Sequence, residues 1–133
     1  MAIMKMDKIR YHRSPLQPRN EFKESVGWGG FIRYLEFADD YFASRQVDEY
    51  ENGYLVRYDR EHWEDQFGTL ADFRYGKTWV KHWGEPHIIT SNEFESKWKA
   101  AEKSPPFKWR RTDHRGPPPW IELFQSGRWK GQP

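Results

Sequence analysis

At 133 residues the chain has the length of one ordinary domain, and 36% apolar against 32% charged residues leaves it only a small core. Eight Trp, seven Tyr and nine Phe mean that this core is built from rings, a composition that disordered chains lack. Zero Cys excludes a disulfide frame, a thiol nucleophile and a thiolate metal site, and no run approaches the ~18 apolar residues of a membrane span.

The net charge of +2 conceals an uneven distribution. Residues 1–33 carry seven Lys/Arg against three Asp/Glu, residues 34–75 four against eleven, residues 76–104 five against four, and residues 105–133 six against two. An acidic midsection of −7 therefore lies between two basic ends of +4 each. The opening Met1–Arg10 has no continuous apolar core and carries both charge signs, so it reads as neither secretory signal nor transit peptide. The expected location is intracellular, in the cytoplasm.

Residues 1–30 read as a first arm. Tyr11-His-Arg-Ser-Pro-Leu-Gln-Pro-Arg-Asn20 leads to Gly27-Trp-Gly-Gly30, and Pro and Gly at this density oppose helix and ladder. The glycines are not a phosphate loop, because they lack the Lys-Ser/Thr and precede a strand, whereas such a loop follows one.

Residues 31–104 read as a compact α+β domain. Phe31-Ile-Arg-Tyr-Leu-Glu-Phe37 is a strand, alternating Phe31, Leu35 and Phe37 with more polar neighbours. Asp39-Asp40 ends it. Ser44–Tyr50 and Tyr54–Tyr58 flank Glu51-Asn52-Gly53, and Asn-Gly between β-prone runs predicts a hairpin because both residues tolerate positive φ. Asp59–Gly68 is either a short helical turn capped by Asp59 or a polar loop, leading to a third strand over Thr69–Tyr75. The main helix is predicted over Ser91–Lys103. Thr90-Ser-Asn-Glu93 fits a capping box, Phe94, Trp98 and Ala101 form one apolar stripe, and Pro105-Pro106 stops the helix.

Residues 105–133 form a second arm, expected to be extended and polyproline-like around Pro117-Pro118-Pro119, with a short strand possible over Trp120–Phe124. Both arms hold the Trp and Arg that ordinary linkers lack. The arms therefore bind something, either the chain's own core or a partner.

Four constellations bear on chemistry. Asp59, Arg60, Glu61, His62, Glu64 and Asp65 are the densest polar cluster, and acidic groups around a His suit a divalent metal or acid/base work, although no ligand spacing of a known kind is present. The bland alternative is a solvated turn. His82 and His87 flank a Gly/Pro loop with no third ligand at an obvious spacing. Trp79 and Trp83, interleaved with Lys77 and Lys81, make either a stacking ledge for bases or core packing, and a chain so poor in aliphatics favours the core. Lys108-Trp109-Arg110-Arg111 with Arg115, and Arg128-Trp129-Lys130, interleave cations with rings as nucleic-acid contacts do.

Within the midsection, Tyr34-Leu-Glu-Phe37, Arg45-Gln-Val47, Tyr50-Glu-Asn-Gly53, Tyr58-Asp-Arg60, His62-Trp63, Phe67-Gly68, Glu93-Phe-Glu95 and Trp98 resemble a family of small uncharacterised bacterial proteins, including cyanobacterial ones. The resemblance covers about residues 32–102. It implies a stand-alone domain and carries no assigned activity, cofactor or catalytic residue.

The expectation that follows is a non-enzymatic binding protein with no cofactor, no metal and no catalytic residue, an accessory subunit that engages a larger protein or assembly. The partner-binding residues would be Trp28, Lys108, Trp109, Arg110, Arg111, Arg115, Trp120, Arg128 and Trp129, with an acidic face of Asp48, Glu49, Glu51, Glu61, Glu64 and Asp65. The alternatives are nucleic-acid binding through the arms and a metal-dependent hydrolase built on Asp59–Asp65. No membrane partner is expected.

Overall fold

A computed structural model describes residues 10–18, 21–74, 87–111 and 116–130. Its centre is an antiparallel sheet of four strands in the order β1 (Tyr11–Arg13), β2 (Phe31–Phe37), β3 (Ala43–Tyr50) and β4 (Leu55–Asp59). Together with one main helix, α1 (Ser91–Glu102), this makes the α+β architecture that the sequence predicts.

Alternation along β2 decides what each face holds. Phe31, Leu35 and Phe37 join Tyr50, Val56, Tyr58, Phe67 and Leu70 in one buried cluster. Tyr34 and Val47 point the other way, onto Phe94 and Ala101 of α1. Tyr34 and Ile32, which blur the alternation in the sequence, do so because both faces are covered. α1 starts where predicted: the Thr90 hydroxyl accepts from the Glu93 N–H at 3.1 Å. Its Trp98 is flanked by the guanidinium groups of Arg45 and Arg57, at 5.0 and 4.3 Å from the ring.

The hairpin between β3 and β4 turns at Asn52-Gly53 as the sequence predicts. Gly53 has φ +95°, and the Tyr54 N–H donates to the Asn52 side chain at 2.9 Å. A four-residue loop joins the strands, and the Tyr50 N–H closes it on the Tyr54 carbonyl at 2.8 Å.

Three expectations change, and one open alternative closes. Of the two readings of the segment after the hairpin the polar loop holds: the Asp59 carboxylate accepts from the N–H groups of Glu61 and His62, at 2.9 and 2.8 Å, and folds the chain back. The third strand predicted over Thr69–Tyr75 shrinks to a two-residue ladder, β5 (Glu64–Asp65) with β6 (Gly68–Thr69); Tyr75 lies outside the described residues. Leu70 and Ala71 are buried without pairing to the sheet because the Gln46 side chain replaces a partner strand. Its amide donates to the Thr69 carbonyl at 2.9 Å and accepts from the Ala71 N–H at 2.8 Å. The second arm is not wholly extended. It contains a turn of helix, α2 (Pro106–Trp109), and a helix, α3 (Pro119–Gln125), where a strand was expected over Trp120–Phe124. Pro119 opens α3 without losing a hydrogen bond, and Gly127 at φ +79° closes it. The Gly127 N–H donates to the Phe124 carbonyl and the Arg128 N–H to that of Leu123, a Schellman ending.

The first arm is not wholly extended either: Val26–Trp28 form a turn of 3-10 helix, and despite its Pro and Gly the arm joins the sheet. β1 pairs with β2 from Tyr11↔Glu36 to Arg13↔Tyr34, and Gln17 bridges Phe31. Gly30 meets this returning chain so closely that a Cβ there would lie 2.5 Å from the Gln17 carbonyl oxygen.

Candidate binding surface

The predicted acidic face does not assemble, since most of its carboxylates are used within the fold. Asp48 is fully buried and receives Arg33 in a two-pronged ion pair at 2.8 and 3.1 Å. Asp65 is also buried, accepting from the Tyr58 hydroxyl and the Phe67 N–H at 2.8 Å each. These two are corrections to the sequence reading: alternation puts Asp48 beside Arg33 on the inner face, and the β5–β6 turn folds Asp65 inward. Glu49 accepts from Tyr34 and Lys97, and Glu51 accepts from the Gly30 N–H at 2.7 Å. Glu61 remains exposed and Glu64 half-buried.

The indoles divide in a similar way. Trp28 lies at about 5 Å from the rings of Tyr50, Tyr54 and Phe67. Trp120 packs edge-on against Trp63 at 5.4 Å, and Trp129 against Phe42 at 5.3 Å. All three are half-buried rather than splayed outward. Trp109 differs. It touches Tyr54 edge-on at 5.5 Å and leaves 47% of its surface exposed. Lys108, Arg111 and Arg128 are exposed, Arg110 is half-buried over the Phe107 ring at 4.3 Å, and Arg115 lies outside the described residues.

The sequence builds the Trp109 surface as a strap across the β4 edge. The Ser104 hydroxyl accepts from the Leu55 N–H at 3.0 Å, satisfying an edge donor and fixing where the strap begins. Pro105 and Pro106 supply helical φ for a single turn, in which Phe107 and Lys108 donate to the carbonyls of Ser104 and Pro105. Arg110, at ψ 129°, turns the chain out again. The Gln66 amide then grips both sides of Arg110: its NH2 donates to the Trp109 carbonyl at 2.8 Å and its oxygen accepts from the Arg111 N–H at 2.9 Å. An Arg111–Glu24 ion pair ties the outer end. Gln66 was missed in the sequence; its place between two β5–β6 residues gave no hint of a grip 45 positions away.

Under the strap runs a crevice lined by Val56, Arg57, Asp65, Pro106, Phe107 and Arg110, too narrow to seat a water molecule. Asp65 Oδ1 takes the hydrogen bonds named above and one from Gly68, while Oδ2 is buried with no hydrogen-bond partner among the described residues. Burial pushes this carboxyl up to about 6, against the pull of the Phe67 N–H, the Tyr58 hydroxyl and Arg110.

The hydrolase cluster does not converge. Asp59 serves the loop backbone, Glu61 points to solvent and Asp65 lies inside. Among the described residues no three His, Asp or Glu side chains come together to hold a metal ion. Trp79, Trp83, Lys77, Lys81 and His82 lie outside the described residues. No helix among those described is long and apolar enough to cross a membrane. Comparison of the chain with family models, curated proteins and solved structures finds no match.

Proposed function

We propose that the protein is a non-enzymatic binding protein that docks on a larger protein partner through the strap at residues 105–111. The observation that carries this reading is the indole of Trp109, 47% exposed in a chain whose other described indoles are at least half-buried. Trp and Arg side chains supply much of the energy at protein interfaces, and the two-χ indole buries a large area at little entropic cost. Lys108 and Arg111 flank the ring, so the complementary surface is acidic around an apolar notch. Trp109 is held by its neighbours on both sides, which lowers the ordering cost on binding. With Asp48 and Asp65 buried, the predicted acidic face is not comparably defined among the described residues.

Affinity capture from the native host, using the full chain, Trp109→Ser and Lys108→Glu/Arg111→Glu, tests the reading. A protein partner retained by the full chain after nuclease treatment and lost from both variants, with their thermal unfolding unchanged, supports it. Retention by both variants overturns it, and retention abolished by nuclease transfers the arms to nucleic acid.

A further inference from the structure

The strap covers a crevice lined by Asp65, a carboxyl with one buried oxygen that has no hydrogen-bond partner among the described residues, and the crevice has no room for a water. An ionised carboxylate in that position is penalised by every part of the fold that keeps water out, the strap among them. Its fastenings are the Ser104 hydroxyl at one end, the buried Pro106 and the Phe107 ring against Arg57 in the middle, and the Gln66 amide and the Arg111–Glu24 pair, both solvent-exposed, at the other. We propose that residues 105–111 are a hinged cover over Asp65, which shuts when that carboxyl is neutral and opens to admit water when it is charged, so that proton uptake sets how Trp109 is presented.

Two arginines share the crevice with Asp65. Arg57 on β4 and Arg110 on the strap face Asp65, and Arg57 also approaches Glu102 of α1 at 3.9 Å. Neither arginine lies within ion-pair distance of Asp65. Tyr58 and, further away, Tyr50 face it from the sheet; burial raises both phenols, so neither ionises near neutrality. Glu64 precedes it on β5 and is half-buried. Asp65 is therefore the carboxyl positioned to change charge beneath the cover in the range where its burial places it, about 6. Arg110 opposes opening, and it does so across the crevice, without a direct hydrogen bond to the freed oxygen.

This inference deepens the docking reading by adding its regulation, and its test needs no partner, so each can fail alone. Hydrogen exchange on the isolated full chain, corrected for the intrinsic pH dependence of amide exchange, follows the Phe107, Lys108 and Arg111 amides, all of which are hydrogen-bonded in the shut form. Protection is expected to fall roughly tenfold or more between about pH 5 and about pH 7.5, while α1 is unchanged. Asp65→Asn, neutral throughout, should remain protected at both pH values. Tyr58→Phe, which removes one donor from the carboxylate, should move the change to higher pH. Equal protection of the wild type at both pH values overturns the proposal, as does a pH dependence that survives Asp65→Asn. Should Asp65→Asn fail to fold, an unshifted transition in Tyr58→Phe overturns it.

Discussion

The two basic arms have similar composition and are fastened by different means. The first is stitched mainly by backbone, with β1 in the ladder and Gln17 bridging Phe31, and the buried Ser25 hydroxyl adds one side-chain bond to the Phe67 carbonyl at 2.7 Å. The second is held by side chains, through Gln66, Glu24 and ring contacts, with Pro106 and Ile121 as buried plugs. Backbone pairing binds every residue of a segment at fixed spacing, whereas a side-chain grip holds points and leaves what lies between them outside. That difference leaves Trp109 exposed while Trp28, of equal promise in the sequence, lies on the core.

The comparison can be tested from its firmest fastening downward. The same chemistry, an arginine–carboxylate pair, occurs buried in the sheet and exposed on the strap. Asp48→Ala leaves the half-buried Arg33 without its partner and should cost about 2–4 kcal/mol by urea denaturation, a large share of the stability of a small domain. Loss below about 1 kcal/mol would mean that Arg33 finds water. Gly30→Ala forces a Cβ onto the Gln17 carbonyl and should cost roughly 2–3 kcal/mol. A neutral result would show the first arm to be looser than its ladder implies. Ser25→Ala leaves the Phe67 carbonyl without that donor and should cost about 1–2 kcal/mol. At the small end, Arg111→Ala should leave the denaturation midpoint unchanged, since the pair is solvent-exposed.

The pH profile sharpens the same contrast. His12 on β1 is fully buried, and burial, with His87 nearby, pushes it down to about 4. The unfolded chain then binds a proton that the folded one refuses, so this stability is present above about 6.5 and lost as pH falls towards 4. Asp65 runs the other way: its folded value is raised to about 6, so stability grows as pH falls through 6 towards 4. Each effect is worth up to roughly 3 kcal/mol, and in the wild type they offset one another. Asp65→Asn should expose the loss due to His12, with stability falling by roughly 2.5 kcal/mol between about pH 7 and about pH 4.5. Urea midpoints at the two pH values measure it, and a flat profile in that variant would refute the assignment to His12.

Local signals in the sequence determined the hairpin, α1 with its cap and stripe, and the strand at Phe31–Phe37. Each rests on residues close in the chain: Asn52-Gly53 with positive φ at Gly53, Thr90 with Glu93, and Phe31, Leu35 and Phe37 at period two. The helix at Pro119–Gln125 carried its own marks, Pro at the first position and Gly after the last, but five apolar-rich residues fit either period. Tertiary structure alone decided where the arms go, which carboxylates are buried, and which indole stays outside. Those outcomes depend on partners far along the chain, with Gln66 reaching residues 109 and 111, Gln46 standing in for a strand beside Thr69 and Ala71, and Arg33 drawing Asp48 inward. A charge or a ring has the same local signature whether it meets solvent or the core, and only the closing of those long-range contacts distinguishes the two.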